Sequence, residues 1–421
     1  MKASVVIVLL SVASGAYPGA RSASTIRVSS ESEFAAAVSA LRDSGGTIML
    51  LPHVFAGELV IGPRSSRRLR VVGAPGARVE RLLLDHTQRV SLDGLTISPV
   101  TADASLTALS SRDVDVHGLQ VTAEGTRYSA SVALPGSSGV TIRRSVFTHC
   151  GDRSPRFVNC LWLRWASDVT VADSWFHDCL GCDFVHGRFG SRLTLVRNRF
   201  ERTLPCQVGR RRCAHQDPVE LFAGRGLRVI GNHFGVYKLG GAQLYLTNAI
   251  DDVTIANNVF VGIDPRVPGY RARVGLIVGS SHSPRVPHDV RIVNNTILTG
   301  ATRTDGYLGS IRLSSRYGGL PRRERPIIAN NVIGVLEVPH HVCSEARVSS
   351  SNVVLRGHAC SGSDRVGAAA LDRYGRPTAS SRLLIGRADR RYAPATDAAG
   401  KPRDARPDVG AYESRAREGR P

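Results

Sequence analysis

Lysine is almost missing from this 421-residue chain. Only Lys2, Lys238 and Lys401 occur, so arginine carries nearly all of the 55 basic side chains. Aromatic residues make up 6%, with two methionines and three tryptophans. That scarcity, beside 42 glycines, fits a loop-rich β protein better than a helical one. No apolar run is long enough to span a bilayer, so no membrane insertion is expected. Charged residues at 21% and hydrophobic ones at 42% exclude a disordered composition.

What is present is positive charge. Thirty-five acidic residues leave a formal net charge of +20. Such a surface attracts polyanions: acidic polysaccharide, nucleic acid or anionic membrane. The N-terminus has Lys2, a short apolar run from Val5 to Val12, then Ser14-Gly15-Ala16. It reads as a signal peptide over 1–16, with a second cleavage position at 23. A secreted or periplasmic protein is expected. Eight cysteines then favour disulfides, with Cys150/Cys160, Cys179/Cys182, Cys206/Cys213 and Cys343/Cys360 as near neighbours.

One eight-residue block recurs: apolar, any, apolar, two of any kind, Asn or a substitute, any, apolar. It begins at Val90–Ile97 (VSLDGLTI) and recurs at 114, 140, 169, 193, 227, 253 and 290, with degenerate copies at 326 and 347. Successive starts lie 21 to 37 residues apart. Alternation of β-branched and polar residues marks a short strand with one buried face. The sixth position becomes Asn198, Asn232, Asn258, Asn295, Asn331 and Asn352, a register that predicts a stacked amide ladder. A second strand precedes many blocks, as at Leu161-Trp162-Leu163, Val219-Glu220-Leu221 and Leu244-Tyr245-Leu246. The wandering period favours a parallel β-helix over a leucine-rich repeat, whose period is nearly constant. Glu31–Arg42 has helical spacing after Ser29 or Ser30 and would plug the first coil. The division expected is a cap helix and first coils over 24–80, the solenoid over 81–360, and a tail over 361–421 that packs on or caps it.

The stretch FAAAVSALRDSGGTIMLLPHVFAGELVI, the V-x-I-x-x-N-x-F coils and the tail DAAGKPRDARPDVGAYE resemble the right-handed parallel β-helix proteins of the pectin-lyase-like superfamily. That resemblance implies an all-β, single-stranded solenoid of about ten coils acting on carbohydrate.

Candidate chemistry concentrates in the central coils. Val219 and Leu221 should point inward and Glu220 outward, with Tyr245 on the same face one coil later. His215, Asp217 and Arg225 flank that strand, and Asp183 and His186 lie in the preceding coil. Elimination from a uronic-acid polymer needs positive charge on the carboxylate, a base for the ring proton and an acid for the leaving oxygen. Arg225, His215 or Lys238 would be the base and Tyr245 the acid. His186 and Arg225 would hold substrate. Calcium, bound by Asp183, Asp217 and Glu220, would supply charge. VELFAGR also resembles the calcium-and-base segment of the alginate lyase/chondroitinase B family, implying Glu220 as calcium ligand and Arg225 at the family's lysine position.

The expected activity is therefore a polysaccharide lyase on an acidic polymer. Asp183–Gly187 (DFVHG) resembles a strand of pectin methylesterases, which keeps a hydrolase or esterase as an alternative. A non-catalytic glycan-binding solenoid is another. Nucleic acid is not expected, since no series of stacking aromatics or groove-reading motif appears. A capped solenoid can be a monomer, and that is the state expected.

Overall fold

The computed structural model describes residues 24–414, apart from 64–66, 100–104, 123–129, 151–157, 181, 205–206, 209–210, 213–216, 236–241, 262–273, 281–282, 299–309 and 337–339. The segment 1–23 with the expected signal peptide, Cys206, Cys213, His215 and Lys238 lie outside the described residues.

Among the described residues, thirty-one strands form one continuous sheet that winds into a parallel β-helix. The architecture fits the pectin-lyase-like solenoid. Each full coil has three strands, which stack into three faces. The first face carries Val158–Arg164, the second Asp168–Ala172 and the third Trp175–Leu180, and each pairs in parallel with its equivalent one coil on. The second face has thirteen stacked strands, from Thr25–Val28 to Val348–Ser350. At about 4.8 Å per strand that column is about 58 Å long.

The apolar positions of the repeat make the core. Ile142, Val171, Leu195, Val229, Ile255 and Ile292 align in register along the second face and are fully buried. On the third face Phe147, Phe176, Phe200, Phe234 and Phe260 stack with centroids 4.3, 5.1, 5.0 and 4.5 Å apart. Between these faces the chain turns on a left-handed residue at the fifth block position, such as Asn257 (φ 57°), Asn294 (φ 52°) and Asn330 (φ 58°). The sixth position fixes the turn. Asn258 Oδ1 accepts the Asn232 amide at 2.9 Å, and Asn295 Oδ1 accepts that of Asn258 at 2.9 Å. Ser145 and Ser174 extend the ladder N-terminally, and Asp364 ends it by accepting the Asn352 amide at 2.8 Å.

The ends are closed differently. Helix α1 (Glu31–Ala40) is capped by Ser30, whose Oγ accepts the Glu33 amide at 3.2 Å, and it buries Phe34 and Ala37. The strand Thr25–Val28 before it pairs with Gly46–Leu50 and was not foreseen from the repeat. The tail runs beside the later coils. Asn257 Nδ2 donates to Thr396 O at 2.7 Å, Asn294 Nδ2 to Asp408 O at 3.1 Å, and the Gly410 amide to Asn330 O at 2.8 Å. Arg403 is buried against Glu413, Oε1 at 2.5 Å, which anchors the tail from within.

Candidate active site

The first face carries the site. Leu161, Leu163, Val185, Val219, Leu221, Leu244 and Leu246 all point into the core. Strand alternation therefore turns Trp162, His186, Glu220, Tyr245 and Ile277 to the other side, in one in-register column. The placement of Glu220 and Tyr245 on one face, one coil apart, agrees with the alternation read from sequence. His186 precedes Glu220 in the same column.

Backbone packing holds this column tightly. Gly187 adopts φ +128°, and a Cβ there would lie 2.1 Å from Leu163 O. Only glycine allows the His186 strand to approach its neighbour so closely. Asp183, Phe184 and Val185 are buried in succession, which breaks the alternation. Phe184 joins the aromatic stack beside Phe176 and Phe200, at 6.0 and 6.1 Å. That break brings Asp183 under His186.

His186 Nδ1 lies 2.7 Å from Asp183 Oδ2 and 3.6 Å from Glu220 Oε2. The side chains of Asp183, His186 and Glu220 are 0%, 15% and 5% exposed. An ionised carboxylate only accepts, so the proton sits on Nδ1 and Nε2 keeps its lone pair in the neutral ring. The Phe222 ring meets the imidazole edge-on, centroids 4.9 Å apart at 76°. This gives an oriented imidazole beside a second carboxylate, the arrangement required of a general base.

Asp217 has another task. Asp183 Oδ1 accepts the Asp217 amide at 2.9 Å, and Asp217 Oδ1 accepts the Ala242 amide at 2.5 Å. The two aspartates tie three coils together beneath the column. Among the described residues, Asp183, His186 and Glu220 bring ligand atoms within 4.8 Å of one another, without Asp217. Calcium seeks six to eight oxygens. A nitrogen and two carboxylates, one already engaged at both oxygens, do not suit it.

Arg225 stands apart from the column. It is exposed at a bend between Gly224 (φ +150°) and Gly226 (φ +76°), in register with Ser191 and Asp251. The sequence placed it as base or substrate clamp beside Glu220; the bend carries it around the corner onto the next face. What sequence reasoning missed is the orienting role of Asp183 and the surroundings of His186, including Phe222 and Trp162. The Leu161-Trp162-Leu163 alternation was the available signal for Trp162.

No family model matches the chain, and no curated protein does. Among solved structures, the surface adhesin PfbA of Streptococcus pneumoniae is 13% identical, covering 77% of this chain and 80% of the other, with a TM-score of 0.45. An alginate lyase from Paenibacillus sp. str. FPU-7 is 12% identical over 82% and 99%, at 0.37. A pectate lyase, Bsp165PelA from Bacillus sp. N165, in complex with trigalacturonate, is 9% identical over 75% and 83%, at 0.32. Identities this low leave any activity to be read from side chains.

Proposed function

We propose that the chain is an exported β-helix enzyme that cleaves an acidic, uronic-acid-containing polysaccharide by β-elimination. The observation that carries this reading is His186, held through Nδ1 by buried Asp183 and set in the outward column with Glu220 and Tyr245. His186 Nε2 takes the ring proton next to the uronate carboxylate. The bond from the neighbouring carbon to the glycosidic oxygen breaks, and a carbon–carbon double bond forms. Tyr245 donates a proton to the leaving oxygen. Asp183 and Glu220 then stabilise the imidazolium. No step of this scheme passes through calcium. Export is supported by the N-terminal leader pattern and by the disulfides Cys150–Cys160, Cys179–Cys182 and Cys343–Cys360.

Hydrolysis and binding without cleavage are the competing readings. Purified protein offered a panel of acidic polysaccharides, with and without chelator, separates the readings. Ultraviolet absorbance from unsaturated uronate ends, undiminished by chelator, is expected. New reducing ends without absorbance would mean hydrolysis. Retention on the polymer without cleavage would mean a binding solenoid.

A further inference from the structure

All three tryptophans of the chain fall between residues 162 and 175, within one coil. Trp162 stands on the first face in register with His186. Trp165 sits at the following corner, 55% exposed and with φ 60°. A bulky aromatic residue rarely takes a left-handed conformation, and exposing an indole forgoes its burial. The left-handed corner recurs in the preceding coils at His86 (φ 50°), Ser110 (φ 47°) and Gly136 (φ 65°), so folding explains the turn but not the exposed indole placed on it. Trp175 belongs to the third face, where its Nε1 donates to Glu201.

Between the first two tryptophans lies Arg164, its guanidinium 5.7 Å from the Trp162 ring centroid. Its strand partner on the next coil is Arg188, and both are exposed. This pairing departs from its surroundings. Arg192, Arg197 and Arg202 each meet an aspartate 24 residues earlier, namely Asp168, Asp173 and Asp178. At the same 24-residue offset, Arg188 meets Arg164. Among the described residues neither guanidinium has an ion-pair partner. Like charges in register on neighbouring strands repel. An anion seated between them would remove that repulsion, as the aspartates do for the other three.

We propose that Trp162, Arg164, Trp165 and Arg188 form a subsite for an anionic sugar residue, spanning the coil of His186 and the coil before it. The guanidinium forks take the charged group, and the indoles take the apolar face of the pyranose. The placement rests on the reading of the first face as the polymer-binding face. The charged group is a uronate carboxylate or a sulfate ester; both present paired oxygens to a guanidinium.

Intrinsic fluorescence reads this subsite directly. In a Trp175→Phe background only Trp162 and Trp165 remain, and Glu220→Gln prevents turnover during titration. Three probes are used: an oligogalacturonate, a sulfated oligosaccharide lacking uronate, and a neutral glucan oligosaccharide. A saturable change with an acidic probe and none with the neutral one is expected. Arg164→Gln with Arg188→Gln should weaken that binding at least tenfold, with circular dichroism unchanged. The acidic probe that binds more tightly identifies carboxylate or sulfate. Unchanged affinity in the double variant, or no saturable change with either acidic probe, overturns the subsite. Arginine-dependent binding without cleavage of any polymer would keep the subsite and remove the lyase. Cleavage with an unchanged KM in Arg164→Gln/Arg188→Gln would do the reverse.

Discussion

Asp183 Oδ2 lies 2.7 Å from His186 Nδ1, and Asp183 is wholly buried. Its other oxygen accepts the Asp217 amide. A group so placed orients the imidazole and is itself held by the backbone of the next coil. Asp183→Asn separates the two tasks. The amide oxygen can still accept from Asp217, but an NH₂ then faces Nδ1 and drives the ring proton to Nε2. Activity on whichever polymer the panel identifies should fall about 100- to 10,000-fold. Far-ultraviolet circular dichroism should stay unchanged. An undiminished rate would remove His186 as the base.

The asparagine ladder invites a stability measurement. Asn258 Oδ1 accepts the Asn232 amide, and its Nδ2 donates to Val229 O at 2.8 Å and Asn295 Oδ1 at 2.9 Å. Asn258→Ala leaves at least two buried backbone groups unpaired, which costs about 3 kcal/mol or more. Asn258→Ser should cost less, because Ser174 Oγ already performs the same acceptor role for the Ser145 amide at 3.1 Å. Urea denaturation midpoints rank the three proteins. Equal midpoints for the Ala and wild-type chains would show that the ladder contributes nothing.

Much of this was legible in the residue order, and the failures have physical causes. The sixth block position exposed the ladder because Asn is needed there for one reason, a turn amide that must be satisfied. Glu220 and Tyr245 were legible because Val219/Leu221 and Leu244/Leu246 obey strict alternation. The facing of Asp183 and His186, both candidates by sequence, was not, because Phe184 breaks alternation to reach the aromatic stack. Thr25–Val28 and Leu69–Gly73 escaped notice because no Asn block follows them. The opposed pair Arg164 and Arg188 needed register, which loops of varying length conceal. Arg225 was misplaced since a strand pattern does not show the bend at Gly224 and Gly226.

His233 provides a pH test that reports on the fold alone. It lies between Arg199 and Val259 on the third face, with Nδ1 3.5 Å from Glu201 Oε1 and no hydrogen-bond partner for that atom among the described residues. Burial pushes its pKa below the usual 6.5; the Glu201 charge pulls it up by less, and Arg199 pushes it further down. The unfolded chain then binds more protons than the folded one between the two pKa values. Stability is therefore full above about pH 6.5 and is lost as pH falls toward the folded value, by at most about 1.4 kcal/mol per pH unit. The informative quantity is a difference between two proteins. Urea midpoints measured from pH 8 to pH 5 for wild type and His233→Gln should run parallel above pH 7. Below pH 6.5 wild type should lose ground against the variant. A wild type that gains on acidification would mean that Glu201 outweighs burial and that the imidazole is held charged.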